Sequence, residues 1–212
     1  MIIKTIPVSP FMTNCYIFAC DKTKEAAIID AGDESEKILE SVDANELRAT
    51  CLIATHAHID HISAVYDIKS ERNIPFLMHK GESPVLGGFK ESQVYFGFGD
   101  GEAPDVDEYI DENRPICIGD YALQVIETPG HSPGGICLAV DGKIFVGDTL
   151  FSGSVGRTDL PGGSSLVLLD SIHKKLMRLE DSTIVYPGHG PATSIGAERR
   201  HNPFLNGQYS SF

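Results

Sequence analysis

The chain has 212 residues, enough for one large domain with its own core, and 42% of them are apolar, as in an ordinary globular protein. Its 30 acidic and 17 basic side chains give a formal net charge of -13, which argues against a groove that tracks nucleic-acid phosphates and against attachment to an anionic membrane. The first ten residues hold one lysine and no long apolar run, so they do not read as a secretory signal, and no stretch approaches the ~20 apolar residues of a membrane span.

In chain order, residues 2–6, 14–19 and 26–30 read as the first three strands of a sheet, short apolar runs separated by turn residues. Residues 34–42 carry Ile38, Leu39 and Val42 at helical spacing and read as a surface helix. Residues 50–55 form a buried strand, 62–70 a helix and 75–78 another strand. Residues 87–114 show no period of 2 or 3.6, although they hold Phe89, Tyr95, Phe96, Phe98 and Tyr109. They read as a long functional loop whose aromatics argue against disorder and could cap a pocket. Strands resume at 122–128, 136–140 and 143–147, the last two joined by the hairpin pair Asp141-Gly142. Residues 166–179 give the best helix, with Leu166, Leu169, Ile172, Leu176 and Leu179 on one stripe, followed by a strand at 183–186 and a closing helix at 195–200. Strand groups each followed by helices suggest two packed sheets with helices outside, in a single domain spanning 1–212.

The five cysteines, Cys15, Cys20, Cys51, Cys117 and Cys137, are odd in number, show no paired framework and lie in apolar runs. Buried free thiols in a reducing, cytoplasmic compartment are the expectation.

Chemistry concentrates in Thr55-His56-Ala57-His58-Ile59-Asp60-His61. His56 and His58 are two apart and face the same side of an extended backbone; Asp60 and His61 precede a helical stretch and can turn toward a second point nearby. One cation could not easily take all four groups from so short a segment, whereas two adjacent cations could. An isolated histidine is usually a satisfied packing residue, but four ionisable groups at the end of an apolar strand are costly to bury unless something pairs them. Three further candidates follow strands in glycine-rich turns: His131 in Pro129-Gly130-His131, Asp148 in Val146-Gly147-Asp148 and His189 in Pro187-Gly188-His189. His79, His173 and His201 lack this setting and read as ordinary surface or packing residues.

These seven residues, in this order, resemble the His-x-His-x-Asp-His signature and the distant His, Asp and His of the metallo-β-lactamase superfamily. The likeness runs from residue 15 to 204 and, through 152–163 and 198–204, is strongest to glyoxalase II-like hydrolases, also called hydroxyacylglutathione hydrolases. The resemblance implies an α/β fold, a four-layer αββα sandwich with the site at one edge of the two sheets. It implies His56, His58 and His131 on one metal, Asp60, His61 and His189 on a second, and Asp148 bridging both. Nitrogen and oxygen ligands favour zinc, with iron or manganese as alternatives. The chain differs from long-type enzymes in ending soon after His189 and in placing Pro191 where those carry a tyrosine, so a short-type enzyme without the C-terminal helical domain is expected, acting on glutathione or another thiol carrier.

The expected reaction is hydrolysis of a thioester, a small-molecule substrate, by a hydroxide shared between the two metals, with Asp60 orienting the nucleophile and Arg157 holding a substrate carboxylate. Asp159 could pair with Arg157, and Asp30 reads as a turn residue or a partner behind a ligand histidine. Three other readings stay open: a persulfide dioxygenase with one iron, a lactone, lactam or phosphodiester hydrolase on the same scaffold, and a non-enzymatic protein with a vestigial metal site. Oligomeric state is not legible.

Overall fold

A computed structural model describes residues 1–206. The first half builds a six-stranded sheet from β1 (Ile2–Val8), β2 (Thr13–Ala19), β3 (Glu25–Ile29), β4 (Arg48–Ile53), β5 (Phe76–His79) and β6 (Glu108–Ile110), in that spatial order. Its first three strands are antiparallel and its last four parallel, and α1 (Ser35–Ala44), α2 (Ile59–Ile62), α3 (Val65–Arg72), α4 (Ser83–Gly87) and α5 (Phe89–Phe96) fall in its connections. The second half contributes β7 (Ile116–Ile118), β8 (Tyr121–Glu127), β9 (Ile136–Val140) and β10 (Lys143–Gly147), then the small hairpin β11 (Leu150–Phe151) and β12 (Ser154–Val155). It ends with α6 (Ser165–Lys174), β13 (Ile184–Pro187), β14 (Thr193–Ser194) and α7 (Ile195–His201). The second sheet runs β14-β13-β10-β9-β8-β7, with β10 and β13 parallel.

Central strands are apolar on both faces because each face meets a layer. On β2, Cys15, Ile17 and Ala19 join the cluster under α1 and α3, while Tyr16 and Phe18 face the other sheet. On β10, Phe145 faces between the sheets, whereas Ile144 and Val146 meet α6 and α7 residues Leu168, Ile172 and Ile195. Three apolar layers therefore separate four structural ones, the αββα sandwich that the sequence suggested. Between the sheets Phe145 packs edge-on to Tyr16 at 5.1 Å and stacks on Tyr186 at 5.2 Å. Asp141 and Gly142 both have positive φ, 43° and 72°, as a tight hairpin turn requires. Among the described residues no helix is long and apolar enough to cross a membrane.

Several elements depart from the pattern reading. Residues 87–114 are not one long loop: they contain α5 and β6. The periodicity fails because α5 buries only Phe89 and Gln93 and leaves Val94 and Tyr95 more than 80% exposed. The helix read over 166–179 stops at Lys174 and continues as a 3-10 turn, Leu176–Arg178. Its buried face is Leu168, Ser171 and Ile172, and Leu166 faces solvent. The start of α6 docks on the turn at Gly130, whose carbonyl accepts from Ser164 N at 2.7 Å, and this contact turns Leu168 inward. The helix expected at 62–70 is broken after Ile62 into α2 and α3. All five cysteines are free, but Cys117 is exposed, because β7 ends its sheet and turns that side chain outward.

Candidate metal centre

The strands that end in chemistry all end at one edge. The parallel run β3-β4 delivers Asp30 and His56 from its C-terminal ends. In the second sheet β8, β10 and β13 point the same way and deliver His131, Asp148 and His189. The edges are tied together there: Ile136 N donates to Thr55 O at 2.9 Å and Asn14 N to Gly188 O at 2.7 Å.

The structure brings together all seven side chains named from the sequence. His56, His58 and His131 offer ring nitrogens that lie within 4.8 Å of one another; so do the ligand atoms of Asp60, His61 and His189, and those of His56, His61 and Asp148. Asp148 stands between the groups. Its Oδ1 is 3.4 Å from His61 Nε2, and its Oδ2 is 3.7 Å from His131 Nε2 and 3.6 Å from His189 Nε2.

The far nitrogens of the rings set the tautomers. His131 Nδ1 donates to the Arg157 carbonyl at 2.7 Å and His189 Nδ1 to the Phe11 carbonyl at 3.1 Å. His56 Nδ1 meets Thr55 Oγ1 at 3.1 Å, and that hydroxyl donates onward to Asp30 Oδ2 at 2.8 Å. His61 Nδ1 is 3.1 Å from Asp30 Oδ2, out of hydrogen-bond alignment. Asp30 thus serves as both turn and support: it sits at φ 57°, is buried, and also accepts from Thr55 N. With the Nδ1 proton of His56 and His131 committed, their Nε2 lone pairs face one another at 3.2 Å, and His58 Nδ1 approaches His131 Nε2 at 2.9 Å. Lone pairs so arranged repel unless a proton or cation lies among them. His61 Nε2 and Asp148 Oδ1 are moreover buried without a hydrogen-bond partner. The donor set fits divalent cations on both counts.

Ionisation follows the same geometry. Burial, and then the neighbouring imidazoles, hold His56 well below the usual histidine value and His58 down to about 4. Burial would lower His61 too, but the carboxylates of Asp60, Asp148 and Asp30 outweigh it and raise its pKa well above the ordinary value. Burial pushes Asp60 up, yet His61, His189 and the Thr13 hydroxyl, 3.1 Å from Asp60 Oδ2, together hold it below the carboxylate range. Both Asp60 and Asp148 are therefore ionised acceptors.

Close approach is bought with glycine at one decisive position. A Cβ on Gly188 would lie 2.2 Å from Asp148 Oδ1 and 2.7 Å from His61 Cε1, so no larger residue fits beneath the centre.

Several supporting residues carry no legible signal in the sequence. Glu82, fully buried, accepts from Ala57 N at 2.7 Å and from Gly134 N at 2.6 Å, so one carboxylate clamps the His56–His58 turn to the His131 turn. Asn14 Nδ2 reaches the carbonyls of Pro187 and Gly190, bracketing His189, and Tyr16 Oη donates to Pro187 O at 2.6 Å. Arg157 lies on the cavity wall, but its fork is taken by Asp159 at 2.7 and 2.8 Å. His173 and His201 are exposed, and His79 caps a turn by accepting from Gly81 N.

A model of the metallo-β-lactamase superfamily matches residues 8–189. The chain is 37% identical to the probable metallo-hydrolase YqgX of Bacillus subtilis, over 96% of this chain and 97% of that one. It is 34% identical to the hydroxyacylglutathione hydrolase GloC of Haemophilus influenzae, over 97% and 99% respectively. Among solved structures, the BLEG-1 B3 metallo-β-lactamase aligns with a TM-score of 0.90 at 38% identity, covering 97% of this chain and 100% of that one. TTHA1623 in a di-iron-bound form aligns with a TM-score of 0.87 at 34% identity, covering 95% and 100%. Likeness over nearly the full length, on a sandwich with histidines and aspartates gathered at one sheet edge, establishes that the chain belongs to the metallo-β-lactamase superfamily and is of its metal-dependent hydrolase kind.

Proposed function

We propose that this protein hydrolyses thioesters with a pair of divalent metal ions, His56, His58 and His131 holding one, Asp60, His61 and His189 the other, and Asp148 serving both. The observation that carries the reading is the position of Asp148, one oxygen toward His61 and the other toward His131 and His189. One carboxylate that reaches His131 of the first set and both His61 and His189 of the second is placed to serve two cations. The di-iron form of TTHA1623 supports the count of two; the nitrogen and oxygen donors suit zinc, iron or manganese. The thioester is supported by the name of the GloC relative, a hydroxyacylglutathione hydrolase.

Divalent cations in such a site acidify water toward neutral pH and polarise a carbonyl oxygen. The residues do the rest. Asp60, kept ionised and fixed by Thr13, accepts a hydrogen bond from the attacking water and orients it. The committed Nδ1 protons of His131 and His189 keep those rings from turning, so their Nε2 atoms stay aimed inward. No serine or cysteine is needed as a nucleophile: Cys15, Cys51 and Cys137 are buried with thiols pushed up in pKa by that burial.

Metal analysis of the purified protein combined with a thioester hydrolysis assay tests this. Two metal ions per chain and rapid thioester cleavage are expected. One iron per chain with oxygen uptake on a persulfide, or turnover of lactones with none of thioesters, would overturn it. We propose further that the substrate is a small molecule met in the cytoplasm, as the free thiols favour.

A further inference from the structure

The cavity over the centre encloses about 910 Å³, at the large end for a small-molecule site. Its floor is His58, Asp60, His131, Asp148 and His189; the proposed chemistry uses nothing above them. The walls come from three separate parts of the chain. The turn after β1 contributes Phe11, the segment from α4 to just past α5 contributes Val85, Tyr95, Phe96 and Phe98, and the far side is Phe151 with Leu160 and Pro161. Phe11 stacks on Phe98 at 5.5 Å with 16° between the rings and meets Phe96 edge-on at 6.0 Å. Phe11 nonetheless remains 45% exposed and Tyr95 81% exposed. Aromatic surface left open beside a reaction centre is surface that a ligand can cover.

The charges of the wall point the same way. Apart from the histidines of the floor, Arg157 is the one cation among the described lining residues, and both arms of its fork are engaged by Asp159. Glu91 adds a negative charge. A glutathione conjugate carries two carboxylates and an ammonium, and two of these would lie against rings with no free partner of opposite sign. Desolvating them there is unfavourable, whereas an alkyl or aryl group gains by leaving water.

We infer that the substrate is a thioester with one bulky apolar arm, alkyl or aryl, seated against Phe11, Phe96 and Phe98, and that a small hydroxyacyl glutathione is a poor substrate. The inference rests on the thioester reading, and its test separates the two. Metal-loaded protein is assayed with acetyl, butyryl, octanoyl and benzoyl thioesters of N-acetylcysteamine, with the acetyl thioester of octanethiol, and with lactoylglutathione. The first series lengthens the acyl arm and the octanethiol ester the thiol arm, so together they identify which arm occupies the wall. We expect kcat/KM to rise, on the order of a hundredfold, from the acetyl parent to either the octanoyl ester, at about twofold to threefold per added methylene, or the octanethiol ester. Phe98→Ala lowers the ratio of that ester to the acetyl parent about tenfold. A flat series, or lactoylglutathione preferred to every apolar ester, overturns the inference while leaving thioester hydrolysis standing. Calorimetric binding of unhydrolysable methyl alkyl ketones to the metal-free protein decides the matter independently of turnover: affinity that climbs with chain length and drops in Phe98→Ala supports the apolar wall even if no thioester is cleaved, and affinity that does neither removes it.

Discussion

In the metal centre that floors the cavity, four of the five imidazoles have their outer nitrogen held or faced by a carbonyl, a hydroxyl or a carboxylate, and buried Glu82 clamps the His56–His58 turn to the His131 turn. On the wall Phe11 and Phe98 meet as stacked rings, and Tyr95 stands almost wholly in solvent. Floor positions are fixed by directional bonds whose loss is costly in a dry interior, wall positions by contacts that tolerate change. A chemistry that demands fixed geometry and a specificity that can drift are thereby placed on different material in one cavity.

The largest effect is expected where the floor is most shared. Asp148→Ala removes the group between both ligand sets and leaves His61 Nε2 with Asp60, 3.7 Å away, as its remaining carboxylate neighbour. Metal content by elemental analysis should fall from the proposed two per chain to one or none, and kcat/KM on a thioester by more than the ~100-fold that bounds a lost outer partner. A variant with full metal and wild-type turnover would break the bridging role.

Glu82 tests whether the clamp matters as much as the ligands. Glu82→Ala orphans two buried N–H groups, of Ala57 and Gly134, at roughly 1–3 kcal/mol each. Metal affinity should weaken about 10–100-fold, measured by competition with a chelator, because the two turns lose their common anchor. Glu82→Gln keeps one acceptor and should fall between. Unchanged affinity in both variants would mean that the turns hold themselves.

Acid should expose the floor in the metal-free protein. His58 is held near 4, so between about pH 6.5 and 4 the unfolded chain takes a proton that the folded chain refuses. Stability is complete above that window and declines as pH falls through it, by up to ~1.4 kcal/mol per pH unit. His61 acts in the other direction: its raised pKa adds stability that is fully present below pH ~6.5 and is lost as pH climbs through the folded value. The chelator-treated protein should therefore have its highest Tm near neutrality, and His58→Asn should make the acid limb above pH ~5 shallower, with buried His56 keeping the rest. An acid limb identical in the variant would assign the loss to other groups.

The same division decided what the sequence could tell. His56, His58, Asp60 and His61 announce themselves because four ionisable groups stand within six residues at the end of an apolar run, and His131, Asp148 and His189 because each follows glycine after a strand. Their supports do not, because the contacts are remote: Asn14 reaches Pro187 across 173 positions, and Glu82 in Lys80-Gly81-Glu82 looks like any surface turn. Nine strands were legible from apolar runs, whereas the two- and three-residue strands β6, β7, β11, β12 and β14 are too short to show a pattern, and α5 was missed because a helix that buries two residues has no stripe to read. In α6 the run Leu166, Val167, Leu168, Leu169 allows more than one apolar face, and only the docking on Gly130 selects Leu168.

The smallest effect sharpens the contrast from the wall side. Tyr95, 81% exposed and touching Phe96 edge-on at 4.8 Å, contributes little to the fold, so Tyr95→Ala should change unfolding stability by no more than about 0.5 kcal/mol. Its neighbour in the same helix, Phe89, is 3% exposed within the core, and Phe89→Ala should cost about 3–5 kcal/mol. Metal content should stay at the wild-type level in Tyr95→Ala, because no floor residue leans on that ring. If chemical denaturation instead shows a loss of several kcal/mol, or elemental analysis shows depleted metal, then α5 is structurally coupled to the centre and the wall is no longer free to vary without disturbing the chemistry beneath it.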